Sequence, residues 1–565
     1  MSTQTNFRAI SNNNIACVAW KYSEKIASCL GFSVTRIDLN SNQKVPLPAW
    51  VGFKSDSNEN WTPKTTEQWP VQKFEWRDLT AKQDGFYQYQ IVPMIGTPGQ
   101  LTPRDDMAIK TNPVHLSSNR GDISAYFNQG ILSTQSLARS LPEGPNGTPD
   151  CKVLLNRIDQ PGDPLRESLA GQMNKALAIL LNRARKEGGS CYSALYELSD
   201  PELEEQLIGS PFVHLILSNT GTDDSENAPA RQALHESHTD VTDRMLPEGH
   251  IGHNKFTVYV DSNNVPQAVL TGSTNWTANG LCAQTNNSII IESPDAAKVY
   301  FDYWNRIKSE GSVQSIGFRS QNNVPHELKV DAGETDVTLW FSPNTASESK
   351  TPKSAEPSDL AEVFEIMGKA SQGILFLAFE PGTPSIIDQA ATCQNNNPSL
   401  FIRGAVTDPK AVGDFNTHLF HRNGDKPDAI VIAATEIKDQ IGFWHKELLK
   451  SSPTAHAIIH DKIVVVDPFS DTNCTVITGS HNLGYRASIM NDDNIVIMRG
   501  NRALAESYAA HVMDVYEHFR WRYTLQQQGA TAWTWLATDD TWQDYYFAPN
   551  SPANKSFNFW FSPTS

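Results

Sequence analysis

HNKFTVYVD, residues 253–261, is followed downstream by GSTN, residues 272–275; HDKIVVVD, residues 460–467, is followed by GSHN, residues 479–482. His253 and His460, Lys255 and Lys462, Gly272 and Gly479, and Asn275 and Asn482 are all separated by the same 207 positions. Only the aspartate slips, with five residues between Lys255 and Asp261 and four between Lys462 and Asp467. A single His-x-Lys says little. Two copies, each the same distance ahead of a Gly-Ser-x-Asn, mark an internal repeat and one shared chemistry.

That chemistry follows from the residue types. A phosphodiester is an anion that resists attack until its charge is neutralised and both nucleophile and leaving group are served. Lys255, Lys462, Asn275 and Asn482 supply donors for the non-bridging oxygens. The runs FTVYV and IVVV read as strands, and alternation then puts His and Lys of each motif on one face. The Gly-Ser pairs end the next apolar strands, AVLTGS and TVITGS, where Ser273 and Ser480 are expected to approach phosphate closely. The two histidines fit the two roles needed: one attacks phosphorus, and the other protonates the leaving alcohol and then activates water. Nothing in this scheme calls for a metal or a cofactor.

Around the motifs the texture is α/β. LAGQMNKALAILLNRARKEG (169–188) predicts a helix, CYSALYEL and FVHLILSN predict buried strands, and the rhythm recurs from about 335. There VTLWFSP is followed by the helix DLAEVFEIMGKAS (359–371) and the strands GILFLAFE, LFIRGAVTD and AIVIAAT. Residues 1–115 differ, with short alternating runs at 15–23, 33–40, 71–79 and 86–94 and an Asp84-Gly85 turn. A β-sandwich of fibronectin III or immunoglobulin-like character is expected, with no partner indicated. The tail, 526–565, is aromatic and is expected to pack on the catalytic part. Its Trp560-Phe561-Ser562-Pro563 repeats Trp340-Phe341-Ser342-Pro343, which reads either as a second strand packed beside its counterpart or as a coincidence.

The 565 residues are 39% hydrophobic and 19% charged, ordinary for a folded chain, with a net charge of −17. A surplus of acid disfavours nonspecific binding along a nucleic-acid backbone. The seven cysteines are scattered without a C-x-x-C pair, which fits reduced thiols. No signal peptide or membrane span is read, so the expectation is a cytoplasmic protein or one exported without a cleavable signal, with peripheral membrane contact at most. His250 and His456 lack a counterpart at the repeat offset and read as loop or supporting groups. Lys298, Arg306 and Lys308 read as a solvated helix face, and Arg520-Trp521-Arg522 as a helix C-terminal cap.

On the duplicated His-x-Lys…Asp and Gly-Ser-x-Asn motifs, over roughly residues 120–525, the chain resembles the phospholipase D superfamily. The resemblance implies two pseudo-twofold-related α/β halves, 120–330 and 335–525, that build one site after an all-β sandwich domain. It implies His253 and His460 as the catalytic pair with Lys255 and Lys462. Asn275, Asn482, Ser273 and Ser480 would bind substrate, and Asp261 and Asp467 would support the motifs. Such proteins often carry an acid after Gly-Ser-x-Asn that orients the histidine of the other half. Here Asn286 aligns with Asp493, so Asp493 or its neighbour Asp492 is expected at His253, which would make His253 the nucleophile and His460 the general acid. A phospholipid is the favoured substrate, with a metal-independent nuclease activity or a dead binding site as the alternatives.

Overall fold

The computed structural model describes residues 6–56, 62–130, 151–220, 224–346, 348, 356–407, 431–433, 459–528, 535–549 and 551–562. Two large mixed sheets hold the motifs. The first has seven strands, in the order Ile123–Phe127, Asn287–Ile291, Pro266–Gly272, Lys255–Val260, Ser190–Leu195, Val213–Thr220 and Asp240–Leu246. The second has eight: His326–Val330, Thr335–Ser342, Asp493–Arg499, Thr475–Gly479, Lys462–Val466, Gly373–Ala378, Phe401–Val406 and Val431–Ala433. Apart from the edge strand His326–Val330, the two orders correspond strand for strand.

Each motif lysine opens a central strand, antiparallel on one side to the strand that ends in the motif glycine. On the other side it is antiparallel to Ser190–Leu195 or Gly373–Ala378, from which the last three strands run parallel. Parallel neighbours need crossovers, and helices Pro201–Leu207, Ala228–Glu236 and Ile386–Asn396 supply three of them. Every residue of Lys255–Val260 and of Lys462–Val466 is buried, as expected of strands covered on both faces. Phe256, Val258 and Val260 share one core with Ile463 and Val465, so the two sheets are packed through a common apolar layer. Tyr259 faces instead the helix Met173–Glu187, while Val464 and Val466 face the helices Ser358–Gly368 and Ile386–Asn396.

Residues 6–115 form a three-stranded antiparallel sheet, Phe7–Ser11, Ala16–Trp20 and Glu75–Asp78, and a six-stranded sheet centred on Cys29–Asp38 and Phe86–Thr97. Along the last of these Tyr87, Tyr89 and Ile91 are buried, while Phe86, Gln88 and Gln90 are not, the alternation the sequence predicts.

Four expectations need correction. The single helix over 169–188 is two, Pro164–Ala170 and Met173–Glu187, because the chain turns at Gly171 with φ of +56°. The tail's Phe557-Asn558-Phe559-Trp560 is helical, not a strand: Ser551 caps the helix Pro552–Trp560 by accepting from Asn554 N, with Pro552 in the first turn. The same Trp-Phe-Ser-Pro tetrapeptide ends a strand at 340–343, so local capping and tertiary packing decide its state. Helix Arg502–Gln528 runs past Arg520, whose guanidinium pairs with Glu517 of the same helix, so Arg520 does not cap its end. Arg306 is half-buried over the rings of Tyr303 and Phe341, while Lys298 and Lys308 are exposed and paired with Asp302 and Asp240. His456, and the side chains of Trp521 and Arg522, lie outside the described residues.

The tail joins two regions. Trp542 donates to the Cys29 carbonyl and packs with Phe32 and Phe74, and Phe559 stacks on Phe401 of the second large sheet at 4.2 Å between centroids. Six described cysteines, all buried, are free thiols. Among the described residues, no helix is long and apolar enough to cross a membrane, and no group of three or more His, Cys, Asp and Glu side chains could hold a metal ion.

Candidate active site

His253 and His460 each precede their strand by two residues, and both line one cavity of about 330 Å³ together with Asn275, Asn482, Tyr196, Glu197, Phe379 and Glu380. Residues from both sheets therefore meet at a single opening. Backbone pairings carry them there: Asp492 N donates to the Ile251 carbonyl at 2.8 Å, and His460 N donates to the Thr285 carbonyl at 3.1 Å. Each histidine is thus stitched to the loop that precedes the last motif strand of the other sheet.

The imidazoles are held across the same boundary. His253 Nδ1 lies 2.9 Å from Asp493 Oδ1, and His460 Nδ1 lies 2.9 Å from Asn286 Oδ1. Asn286 Nδ2 donates to the Gly280 carbonyl, which leaves its oxygen for His460. Both rings are therefore Nδ1–H tautomers when neutral, with the Nε2 lone pair left for the cavity. The pairing is crossed but unequal, a carboxylate on one side and an amide on the other.

Ser273 and Ser480 sit behind this layer rather than in the cavity. Ser273 Oγ donates to Asn286 Oδ1 at 2.8 Å, and Ser480 Oγ donates to Asp493 Oδ1 at 2.6 Å, so each serine braces the group that braces the histidine. Both serine side chains are buried, and neither lines the cavity. The glycines before them have a different reason. Gly272 and Gly479 have φ of +155° and +137°, and a Cβ there would come within 2.3 Å of the Asn287 carbonyl oxygen or 2.2 Å of that of Asn494.

Each lysine folds back on its motif: Lys255 Nζ donates to the His253 carbonyl at 2.7 Å, and Lys462 Nζ to the His460 carbonyl at 2.6 Å. Each also lies over an aromatic ring, Lys255 5.3 Å from the Tyr196 centroid and Lys462 5.0 Å from that of Phe379. Burial, more than any neighbour, lowers the Lys255 pKa to about 8, against the opposing pull of Asp493 and Glu197. Lys462 is pushed well below its ordinary value by burial and by Lys255. Burial and Lys255 bring His253 down to about 4 despite Asp493. His460 is also pushed well down, by burial and then by Lys462, Lys255 and His253. Both imidazoles are therefore neutral at pH 7.

The supporting aspartates do different jobs. Asp467, at a positive φ, accepts from the backbone N–H groups of Ser371, Gln372 and Gly373 and so anchors the start of the neighbouring strand. Asp261 is half-buried and accepts from Asn263 N and Val265 N, closing its own hairpin turn after a register shift at Tyr259/Val260. Asp492 does not reach His253; it is buried against Arg244 and accepts from Gln314. His250 is bonded to Gln314, the same side chain that donates to Asp492.

Three sets of residues were missed from sequence. Tyr196-Glu197 and Phe379-Glu380 end the equivalent strands Ser190–Leu195 and Gly373–Ala378, and the matching ends of CYSALYEL and GILFLAFE carried that signal. The middle residues of the motifs point away from the histidines: Asn254 Nδ2 donates to Tyr303 Oη at 3.1 Å, and Asp461 Oδ2 pairs with His511 Nε2 at 3.0 Å. Asn287 donates to Thr478 and Tyr508, while Asn494 accepts from Thr271 and Tyr300, a reciprocal seam between the sheets.

Two corresponding mixed sheets that bring paired His-x-Lys motifs to one cavity are the arrangement by which the chain resembles the phospholipase D superfamily. No protein-family model matches the chain, and neither does any curated protein. The solved structures that it matches include a polyphosphate kinase from Porphyromonas gingivalis, with 11% identity over 61% of this chain and a TM-score of 0.35. The match spans 48%, about half, of that kinase. They also include a phosphatidylserine synthase from Haemophilus influenzae, with 10% identity over 62% of this chain and 85% of the other, TM-score 0.42. A third is the phospholipase D family member Nuc from Salmonella typhimurium, with 19% identity over 24% of this chain and 87% of the other, TM-score 0.20. Likenesses this distant leave function to be read from the site itself.

Proposed function

We propose that the chain is a phosphodiesterase of the phospholipase D type, in which residues 120–330 and 335–525 are related halves of one catalytic unit, preceded by a β-sandwich. The observation that carries this reading is the crossed pair His253–Asp493 and His460–Asn286 around one cavity. His253 Nε2 attacks phosphorus as the P–O bond to the leaving alcohol breaks, and His460 Nε2 gives its proton to that oxygen. His460 then takes a proton from water, whose oxygen displaces His253 and breaks the P–N bond. Lys255, Lys462, Asn275 and Asn482 bind the phosphoryl oxygens through the reaction.

The unequal partners support the division of roles. A carboxylate stabilises the imidazolium character that His253 acquires on attack. The neutral Asn286 amide stabilises charge on His460 less, so protonated His460 is the stronger acid. Its proton arrives with the substrate, whose negative charge works against what holds the His460 pKa down, burial first and then Lys462 and Lys255.

A phospholipid headgroup bond is the favoured target. Glu197 and Glu380 stand at the cavity with Tyr196, Phe379 and the cation Arg486, and two carboxylates against that one guanidinium disfavour a strand carrying further phosphates on either side of the scissile one. The test is to incubate wild type and His253→Ala with phosphatidylcholine vesicles and with single- and double-stranded DNA, all in EDTA. Choline release without nicking is expected from wild type alone. Nicking without choline release would replace the lipid reading by the nuclease one, and no turnover of either would leave the site a binding protein.

A further inference from the structure

Glu197 bears on one phosphate-binding asparagine and on both lysines. Its Oε2 accepts a hydrogen bond from Asn275 Nδ2 at 2.5 Å, and it lines the cavity beside His253. A carboxylate can only accept, so this bond fixes which end of the Asn275 amide is nitrogen and leaves its second N–H for the cavity. The corresponding side chain in the other sheet does no such thing. Glu380 is exposed, and among the described residues it makes no hydrogen bond to Asn482; the Oδ1 atoms of Asn275 and Asn482 both lack a partner there, so the difference lies in the Asn275 Nδ2 bond alone. The charge of Glu197 also opposes the loss of the proton from Lys255 and from Lys462.

We propose that Glu197 is a positioning residue of this site: its carboxylate holds the Asn275 amide with the remaining N–H turned to a phosphoryl oxygen, and its charge balances the two lysines. This rests on the phosphodiesterase reading and adds a group that the paired motifs do not contain. It also sets the two asparagines apart, because among the described residues Asn275 is tethered to a carboxylate and Asn482 is not.

Two measurements on the full chain test it. Glu197→Gln keeps the shape and an acceptor but removes the charge. Calorimetric binding of inorganic phosphate, followed against pH, is expected to lose its alkaline midpoint to lower pH by about half a unit or more in this variant. Hydrolysis of bis(p-nitrophenyl) phosphate is then compared in Glu197→Ala, Asn275→Ala and the double variant. Glu197→Ala is expected to lower kcat/KM by about tenfold in the wild-type background and less than about twofold when Asn275 is already absent. An unmoved midpoint overturns the proposal, and so does an equal loss in both backgrounds. If wild type hydrolyses no diester, the phosphodiesterase reading falls, and the phosphate midpoint decides the role of Glu197 by itself.

Discussion

The surroundings of His253 and His460 are built on one plan and differ at a few atoms. Each histidine is followed by a lysine that donates to its carbonyl, each is tilted against an aromatic ring, and each is held by a residue of the opposite sheet. One holder is Asp493 and the other Asn286. A second difference lies on the far side of the strands, where Asn254–Tyr303 is a neutral pair and Asp461–His511 an ionisable one. A third is the tether on Asn275. On the proposed mechanism, the shared geometry lets both imidazoles reach one phosphorus, and the differences assign the attack to one of them.

The comparison breaks most sharply at the nucleophile. His253→Ala is expected to lower kcat/KM by roughly 10⁴-fold or more, measured on a diester with an alkoxide leaving group. Asp493→Asn makes the two holders alike without removing the hydrogen bond, and roughly a 10²- to 10⁴-fold loss is expected, seen in kcat rather than KM. Equal, small effects of Asp493→Asn and of Asn286→Ala would contradict the division of roles. Asn286→Asp makes the holders alike in the other direction. By stabilising charge on His460 it weakens the acid, and about a tenfold fall in kcat is expected for a poor leaving group, with little change for p-nitrophenolate.

Much of this was readable before any coordinates, and the reasons differ by residue. The motif strands are detectable because buried strands need unbroken apolar runs, and FTVYV and IVVV supply them. The repeat offset aligned Asp493 with Asn286, and it was the family resemblance that implied Asp493 or Asp492 at His253. The position of Ser273 and Ser480 was not, since a serine after a glycine can face either a ligand or a neighbour, and only the paired strand Asn287–Ile291 or Asp493–Arg499 decides. Asp261 and Asp467 diverge because one extra residue turns the first into a hairpin cap. Trp560 is helical although its twin Trp340 is extended, since four residues carry too little information against a capped helix and its packing.

The pH profile gives the smallest but most quantitative effect. On the proposed mechanism, a leaving group that takes no proton from His460, such as p-nitrophenolate, requires only His253 unprotonated and Lys255 protonated in the free enzyme. With it, activity as kcat/KM is expected to fall below about pH 4, where His253 takes a proton, and above about pH 8, where Lys255 loses one. Asp493 is held below the usual carboxylate range mainly by His253, against the opposing effect of burial, so it stays charged throughout that window. Asp493→Asn removes an anion that favours protonated His253 and protonated Lys255, and both limbs are expected to move to lower pH.

The central claim is that the two similar histidines do different chemistry, and trapping the covalent intermediate tests it directly. His460→Ala retains the attacking group and lacks the base for the second step. With bis(p-nitrophenyl) phosphate, whose leaving group needs no proton, it is expected to release one p-nitrophenolate per chain in a burst and to carry a phosphorylated His253, read by mass spectrometry of the digested protein at neutral to alkaline pH. His253→Ala is expected to give neither burst nor adduct. A burst from His253→Ala with the adduct on His460 would contradict the account.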